Sequence, residues 1–284
     1  MAIEIKELSY IYSQGTPYEK HALNGVNLTI EQGEFIGLIG HTGSGKSTLI
    51  QHLNALLKPT SGSVVIDGLS IFEEKTSKKA IRQQVGLVFQ YPEHQLFELT
   101  VYKDVAFGPK NMGLEDDEIH ERVIEALKKV GLEEEIYEKS PFELSGGQKR
   151  RVAIAGVLAM KPHILILDEP TAGLDPYGRD EILNEIKRMH LQENMTIILV
   201  SHSMEDIANY VERIIVMDGG SVILQGDKYK VFKEVELLER IGLGVPQVAK
   251  ICNELAKKGF IFDQTITTLD EAVKALKPQL VKKQ

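Results

Sequence analysis

The chain has 284 residues, enough for one large hydrophobic core or for a medium core with a small additional unit. Its apolar fraction of 43% and charged fraction of 26% are those of a folded globular protein, which excludes a disordered or fibrous chain. The net charge of −8 argues against non-specific binding to nucleic acid, because that binding depends on clustered lysines and arginines.

The N-terminal region is predicted to form an antiparallel pair of strands. Residues 3–12 and 22–30 alternate apolar and polar side chains, and a loop with Gly15 and Pro17 connects them. The first residues lack the basic start and the long apolar core of a signal peptide. No stretch of the sequence approaches the roughly 18 apolar residues that a membrane-spanning helix needs. We therefore expect any contact with a membrane to go through a partner.

Residues 40–48, with the sequence GHTGSGKST, match the pattern G-x-x-x-x-G-K-[ST] of a phosphate-binding loop. The loop follows an apolar run at 35–39, predicted as a buried strand, and precedes a helical pattern at 48–57. Glycines let the backbone curl so that many N–H groups point at one anion, and the positive end of the helix adds to that field. The predicted ATP-binding residues of the loop are Gly40, Thr42, Gly43, Ser44, Gly45, Lys46, Ser47 and Thr48.

Two side chains of the loop have specific predicted tasks. Lys46 is expected to reach the β- and γ-phosphate oxygens of the nucleotide, and the Ser47 hydroxyl is expected to ligate Mg2+. The sequence therefore predicts ATP and Mg2+ as ligands.

The middle of the sequence changes from strands to helices. From residue 91 to about 144 the pattern is helical, with an amphipathic helix at 115–130 and Gly131 in its C-cap position. A helical block inserted between the strands of an α/β core is expected to form a lobe of its own that contacts a partner. The elements predicted before it are a strand at 63–68, a basic helix at 78–84 and a buried strand at 85–89 that ends at Gln90.

In the second half, strands again alternate with helices, which is typical of an α/β fold. Beyond about residue 229 the composition changes to short helices rich in Lys and Glu, and Thr268 with Glu271 has the spacing of a capping box. Cys252 is the single cysteine, so an intrachain disulfide is excluded and a reducing compartment is expected. The predicted elements are helices at 144–160, 177–192, 204–210 and 246–258 and strands at 164–167, 196–200, 213–217 and 221–225.

Asp168 and Glu169 follow the apolar run at 164–167, which has the composition of a parallel strand buried on both faces. A carboxylate at such a strand end can hold Mg2+ directly or through water. A second carboxylate one residue later faces differently and can position or deprotonate the attacking water. With the phosphate loop in the same chain, we assign the metal to Asp168 and the base to Glu169.

The pentapeptide LSGGQ at residues 144–148 precedes an apolar helix, with Ser145 as its N-cap. Together with the phosphate loop and the Asp-Glu pair, this pentapeptide is typical of one family: the chain resembles the nucleotide-binding subunits of ATP-binding cassette transporters. The resemblance implies a P-loop NTPase fold with a mixed sheet core, an antiparallel β subdomain and a helical subdomain. It also adds Ser145, Gly146, Gly147 and Gln148 to the nucleotide-binding residues.

The resemblance assigns further roles residue by residue. Tyr12 lies where the family places an aromatic ring that stacks on adenine, with Tyr10 and Tyr18 as nearby alternatives. Gln90 matches the glutamine that contacts Mg2+ and water, and His202 matches the histidine that senses the γ-phosphate. The catalytic residues so implied are Glu169, His202 and Lys46, and the metal ligands are Ser47, Gln90 and Asp168.

Two segments imply a dimer. In this family the serine-glycine segment of one protomer closes over the ATP held by the phosphate loop of the other, so Ser145 and Gly147 would complete a site in another chain. Asp175, in the loop AGLD at 172–175, would contact the partner protomer. The resemblance therefore implies two composite sites at a dimer interface and poor ATPase activity of the monomer.

Several longer stretches are similar to the ATPases of energy-coupling factor transporters, specifically to the second of their two ATPases. They include VFQYPEHQLF at 88–97, AFGPKN at 106–111 and SPFELS at 140–145. This similarity implies a heterodimer with a sister ATPase, with a homodimer as the alternative, and uptake of vitamins or Co2+/Ni2+. It also implies a transmembrane coupling protein bound at residues 91–97, small substrate-capture membrane proteins as further partners, and a peripheral position on the cytoplasmic face of the cell membrane.

The sequence thus predicts an α/β ATPase domain at 1–230, with a helical subdomain inserted at about 91–160, and a C-terminal helical appendage at 231–284. Two alternatives remain for its function. One is an ATPase of another importer, for amino acids or metal ions. The other is a soluble cassette ATPase that acts on nucleic acid or ribosomes, although the sequence lacks the long coiled coil or second cassette that this role requires.

Overall fold

Two β-sheets form the frame of the fold. The computed structural model of the chain describes residues 2–73, 75–262 and 265–281. In these residues the strands are β1 Ile3–Tyr12, β2 Lys20–Ile30, β3 Phe35–Ile39, β4 Ser61–Ile66, β5 Leu69–Ser70, β6 Val85–Val88, β7 Ile164–Asp168, β8 Thr196–Val200, β9 Arg213–Asp218 and β10 Ser221–Asp227.

Helices connect most of these strands. A single turn of 3-10 helix at Pro92–Gln95 also lies between β6 and the next helix. The α-helices of the described residues are α1 Lys46–Leu53, α2 Lys78–Gln84, α3 Val101–Met112, α4 Asp116–Lys129, α5 Gly146–Leu158, α6 Pro176–Glu193, α7 Met204–Tyr210, α8 Lys228–Lys233, α9 Val235–Arg240, α10 Gln247–Lys257 and α11 Leu269–Val281.

The larger sheet has six strands in the order β10-β9-β3-β8-β7-β6. All neighbouring pairs are parallel except β10 with β9, which form an antiparallel hairpin. The central strands are buried on both faces: β3 places Phe35 and Ile39 in one hydrophobic cluster and Ile36 and Leu38 in another. The predicted α/β class with a mixed sheet is confirmed. Because β3, β6, β7 and β8 are parallel, the residues that follow them meet at one edge.

The second sheet is antiparallel, with the strand order β2-β1-β4-β5, and confirms the predicted antiparallel pair. Its inner face packs on the larger sheet, since Ile3, Ile5 and Leu28 share a cluster with Ile36 and Leu38. In the register of β1 and β2, Tyr12 lies opposite Lys20. The end of β1, with Tyr12, therefore lies beside the phosphate loop, at the carboxyl edge of the larger sheet.

Helices α3, α4 and α5 pack on one another through Val105, Val123, Leu127 and Val152, which are all fully buried. They form the helical lobe that the sequence predicts, although the lobe boundaries at about 91 and 160 stay a prediction. Helix α4 has Val130 as its C-cap, so Gly131 lies one residue beyond the C-cap and not in the C-cap position that the sequence predicted. The φ of Gly131 is 68°, the left-handed conformation in which glycine is favoured after a helix end.

Helix α1 differs from its predicted bounds of 48–57. It begins two residues earlier, at Lys46, because Gly45 takes up the N-cap position with a φ of 105°. It ends four residues earlier, at Leu53, because the Asn54 side chain bonds to the carbonyl of Val85 and Ala55 adopts a φ of 52°. Both ends are therefore set by backbone conformations that hydrophobic periodicity does not encode.

The C-terminal region packs partly on the main core. Val231 and Phe232 of α8 belong to the same hydrophobic cluster as the helical lobe, and the proposed division at 230/231 stays a prediction. The predicted capping box before α11 is confirmed: Thr268 N–H donates to Glu271 Oε2 at 3.1 Å, and Glu271 N–H donates to Thr268 Oγ1 at 3.4 Å. Among residues 2–73, 75–262 and 265–281, no helix combines the length and apolarity needed to span a membrane.

Candidate functional site

A cavity of about 440 Å3 opens at the carboxyl edge of the parallel strands. Gly40 and Ser44 belong to the same loop but do not line this cavity, and neither do residues 145–148. The structure therefore brings most of the predicted site residues together and leaves the LSGGQ segment apart from them. The cavity is lined by Tyr12, Lys20, Ala22, Thr42, Gly43, Gly45, Lys46, Ser47, Thr48, Gln90, Asp168, Glu169 and His202.

The phosphate loop has the curled backbone that its glycines predict. Gly43 has a φ of 85°, and a Cβ atom added there would meet nothing within 4 Å. Gly45 has a φ of 105°, and its Cβ would lie 2.7 Å from the carbonyl oxygen of Ala22. One glycine thus leaves open space on the loop, and the other allows close approach of β2. Both features fit a backbone cradle for an anion.

The ammonium group of Lys46 lies in the curl of this loop. Its Nζ donates to the carbonyl oxygens of Gly40 at 2.5 Å and His41 at 3.1 Å. Burial lowers the pKa of Lys46, while the carboxylates of Glu169 and Asp168 oppose this shift. A cation placed here, between carbonyls and two carboxylates, is suited to bind phosphate oxygens.

Ser47 and Asp168 form a second group in the cavity. Both side chains line the cavity, with Asp168 at the end of β7. Burial raises the pKa of Asp168, while the charge of Lys46 and the nearby Ser47 hydroxyl oppose the shift. A hydroxyl, a carboxylate and the amide of Gln90 are oxygen donors of the kind that Mg2+ accepts together with phosphates and water. The described residues contain no cluster of three or more His, Cys, Asp or Glu side chains that could hold a metal by themselves.

Glu169 has the environment of a general base. Its φ is 51°, and its N–H donates to the carbonyl of Val200 at 3.0 Å, which fixes the turn that follows β7. Its Oε1 atom is buried, lies 3.4 Å from Nε2 of His202 and accepts no hydrogen bond from any described group. Burial raises the pKa of Glu169 to about 7, with a contribution from Asp168 and opposed by the His202 backbone N–H and Lys46. A carboxylate with a pKa near 7 is well matched to accept a proton at neutral pH.

His202 follows β8 and faces Glu169 across the cavity. Its side chain is half exposed. Burial and the charge of Lys46 lower the pKa of His202, which favours the neutral imidazole with one N–H donor. A neutral donor beside a carboxylate can contact a phosphate oxygen without neutralising the base.

Of the three tyrosines considered, Tyr12 is the one that lines the cavity. Its hydroxyl lies 3.2 Å from Oγ1 of Thr48, and its ring contacts Tyr10 edge to face. Tyr10 packs on His52, away from the cavity, and Tyr18 is 85% exposed. The role of Tyr12 in stacking on adenine stays a prediction, and its position is compatible with that role.

Lys20 also lines the cavity, and the sequence reasoning missed it. Lys20 starts β2 and lies opposite Tyr12 in the antiparallel register. Lys20 belongs to none of the sequence motifs. Only the pairing of β1 with β2 reveals that this lysine reaches the cavity.

The LSGGQ segment forms a separate surface at the start of α5. Ser145 Oγ accepts the Gln148 N–H at 3.3 Å, and Gln148 Oε1 accepts the Ser145 N–H at 3.0 Å, which makes a capping box. Cβ atoms added at Gly146 and Gly147 would meet nothing within 4 Å, so the backbone is open there. Asp175 likewise caps α6, its carboxylate accepting the Gly178 N–H at 2.8 Å.

The raised pKa of Glu169 predicts a pH-dependent effect on stability. Its carboxyl has a pKa of about 7 in the folded chain, against an ordinary value of 4.5. The unfolded chain therefore releases this proton first, and ionisation makes the folded chain less stable as pH rises from 4.5 to 7. Glu169→Gln removes this effect, so we expect its gain in thermal midpoint without nucleotide to be larger at pH 8 than at pH 5 by about 3 °C. Equal gains at both pH values in calorimetry would contradict the raised pKa.

Comparison with known proteins agrees with this geometry. The family described as ABC transporter matches residues 23–172. The energy-coupling factor transporter ATP-binding protein EcfA2 of Clostridium perfringens is 57% identical over 97% of both chains. The protein of the same name from Caldanaerobacter subterraneus is 58% identical over 96% of this chain and 95% of its own.

Solved structures show the same fold. The cbiO1 protein of Clostridium perfringens, part of the ABC transporter complex cbiONQ, has a TM-score of 0.76 and 43% identity over 90% of this chain and 98% of its own. The ATP-binding cassette MJ0796, in a dimeric post-hydrolysis state bound to ADP and Pi, has a TM-score of 0.71 and 33% identity over 79% of this chain and 98% of its own. The chain therefore belongs to the ABC transporter family, as an ATP-binding ATPase whose near relatives are the ATPases of energy-coupling factor transporters.

Proposed function

We propose that this chain is the ATP-hydrolysing, energy-coupling subunit of an energy-coupling factor importer for a vitamin, Co2+ or Ni2+. The observation that carries the proposal is the division of the nucleotide machinery. The cavity holds the phosphate loop, Asp168 and the base Glu169, while the LSGGQ turn lies on a separate surface. A second ATPase chain is needed to complete such a site. The names of the near-full-length relatives support the transporter type.

The residues of the cavity divide the reaction among them. The loop N–H groups and Lys46 bind the phosphates, and the phenol ring of Tyr12 would stack on the adenine ring. Ser47, Gln90 and Asp168 would hold Mg2+, which when bound neutralises phosphate charge. Glu169 orients the attacking water and accepts its proton, since its pKa lies near 7.

Two chains would share each ATP. The open backbone at Gly146 and Gly147 and the α5 N-terminus suit contact with the γ-phosphate held by a partner's loop. The dimeric state of MJ0796 bound to ADP and Pi supports this arrangement. Closure on ATP and opening after hydrolysis would then supply the mechanical step. The partner would be a sister ATPase, with a second copy of this chain as the alternative.

A groove of about 520 Å3 between α2, α3 and α5 is the proposed contact with the transmembrane coupling protein. Its lining is mostly apolar and includes Leu96 and Phe97 of the coupling segment, which we define as residues 91–97. Phe97 and Phe107 are 58% and 46% exposed and contact each other edge to face at 4.9 Å. Exposed aromatic rings at a groove favour a protein partner. Through it, the chain would lie peripherally on the cytoplasmic face of the membrane, beside a substrate-capture protein.

The coupling groove gives the direct test of this function. We expect Phe97→Glu to lower solute uptake by the assembled transporter at least tenfold, because a charge placed in a desolvated aromatic contact is costly. The ATPase rate of the isolated dimer should change by less than about twofold, since the ring lies outside the nucleotide cavity. Uptake into vesicles and ATP turnover in solution are measured in parallel.

Leu191→Glu is the matched control, because Leu191 is 71% exposed at the far end of α6. It should leave uptake unchanged. Unimpaired uptake by Phe97→Glu would argue against the groove as the coupling site. Co-purification from native membranes with mass spectrometry tests the partners themselves, and recovery of this chain with no membrane protein would contradict the proposed function.

A further inference from the structure

Arg150 is an arginine whose charged group is removed from solvent. It lies in the second turn of α5 and is 2% exposed. Its Nε and Nη2 donate to the two carboxylate oxygens of Glu93 at 3.0 and 2.8 Å. Its Nη1 donates to the carbonyl oxygens of Pro170 at 3.0 Å and Ala172 at 2.7 Å. A planar guanidinium with fixed donor directions holds such partners in one relative position.

The partners of Arg150 belong to two functional segments. Glu93 lies in the coupling segment, in the 3-10 turn Pro92–Gln95. Pro170 and Ala172 lie in the turn that begins at Glu169, and the Ala172 N–H donates to the Glu169 carbonyl at 3.1 Å. Arg150 therefore joins the proposed membrane contact to the turn that carries the base.

The same two segments also lie close together at a second point. The ring of Tyr91, at the start of the coupling segment, is near Gly173: a Cβ added at Gly173 would be 3.9 Å from Cε1 of Tyr91. The neighbouring Arg151 differs, since its guanidinium pairs with Glu181 of α6. The connection is thus specific to Arg150 rather than a general property of the arginines in α5.

We propose that Arg150 is a positioning residue that couples movement of residues 91–97 to the placement of Glu169. When the coupling segment shifts, the Glu93 carboxylate moves the guanidinium, and the guanidinium moves the carbonyls of the turn that follows Glu169. The link runs in both directions, so nucleotide at the phosphate loop changes the coupling segment. The identity of the partner rests on the proposed function, but the link itself lies within this chain.

Hydrogen exchange in the purified ATPase dimer tests the link without a membrane partner. We expect Mg2+ with the non-hydrolysable analogue AMP-PNP to slow amide exchange in residues 91–97 about fivefold in the parent protein. In Arg150→Lys this response should disappear, because a lysine cannot form the bidentate pair and reach both carbonyls. Affinity for AMP-PNP should stay within about threefold, and kcat for ATP should fall about tenfold with little change in KM.

Two further variants keep the test decisive. Glu93→Gln leaves Arg150 in place and removes the negative charge with which Arg150 pairs, so this variant should also lose the exchange response. It keeps the test usable if Arg150→Lys fails to fold. Arg151→Lys is the matched control on the same helix and should retain the response. A normal exchange response in Arg150→Lys or Glu93→Gln, or none in the parent protein, would overturn the proposal. Failure of the parent chain to support uptake would contradict the proposed function. The proposal for Arg150 would then still be decided by the exchange measurement.

Discussion

Glu169→Gln is expected to lower the rate of ATP hydrolysis about a thousandfold and to leave ATP affinity within about twofold. The reason lies in the surroundings of the side chain: its Oε1 is buried without a hydrogen bond, and its pKa of about 7 makes it a proton acceptor at neutral pH. An amide of the same shape cannot accept the proton. The bound ATP should therefore persist and hold the ATPase dimer closed, which single-turnover hydrolysis, equilibrium ATP binding and size-exclusion chromatography would measure.

The pH dependence of the parent protein checks the same assignment. A general base acts when ionised, so kcat/KM, which reports on the free enzyme, should rise with pH and level off above a midpoint near 7, the pKa of Glu169. Glu205→Gln is a suitable control, because Glu205 lies three residues beyond His202, accepts the Gln247 N–H and does not line the cavity. Normal turnover by Glu169→Gln would remove Glu169 from the role of base, whatever the pH profile of the parent.

Much of this site could be predicted from the sequence, because its residues follow buried strands. Gly40, Gln90, Asp168 and His202 each come at or just after the end of a parallel strand, and parallel strands place these ends at one edge. Apolar runs of four or five residues were enough to find the strands. Because these strands end at one edge of the sheet, the residues that follow them could be predicted to lie close together.

Other features could not be predicted, because they depend on contacts distant in sequence. The presence of Lys20 in the cavity requires the register of β1 with β2. Arg150 and Glu93 are separated by 57 residues, and no local sequence pattern pairs them. The start of α1 required the left-handed conformation of Gly45. Local sequence patterns predict helices and strands, whereas contacts between side chains on different helices and strands are seen only in the folded chain.

Burial acts on four ionisable groups of the cavity in the same sense. It lowers the pKa of Lys46 and His202 and raises the pKa of Asp168 and Glu169, so each group is moved towards its neutral form. The chain thus holds these groups close together at a cost in stability. A site of this kind is balanced only when phosphate charge and a metal ion enter together, which fits the coupled use of ATP and Mg2+ proposed here.

The proposed composite site makes its sharpest prediction at Gly147. A Cβ at this position would meet nothing within 4 Å, and an acidic residue in the first turn of a helix is favourable, so Gly147→Asp should fold normally. In the closed dimer, however, its carboxylate would face the triphosphate held by the partner. Two like charges about 4 Å apart repel by about 4 kcal/mol at the effective dielectric of a protein surface. We therefore expect ATP-driven association of the ATPase dimer to weaken about a thousandfold.

Binding and association must be measured separately for this variant, because the prediction concerns the partner's ATP. Affinity of the isolated chain for ATP, measured by calorimetry, should stay within about twofold, since residues 145–148 do not line its own cavity. ATP-driven association is measured by analytical ultracentrifugation in a Glu169→Gln background. Gly147→Asn has nearly the same shape without the charge and should lose less than about tenfold. Weakened ATP binding by the isolated Gly147→Asp chain would place the LSGGQ turn in the chain's own site, and undiminished association would contradict a site shared between two chains.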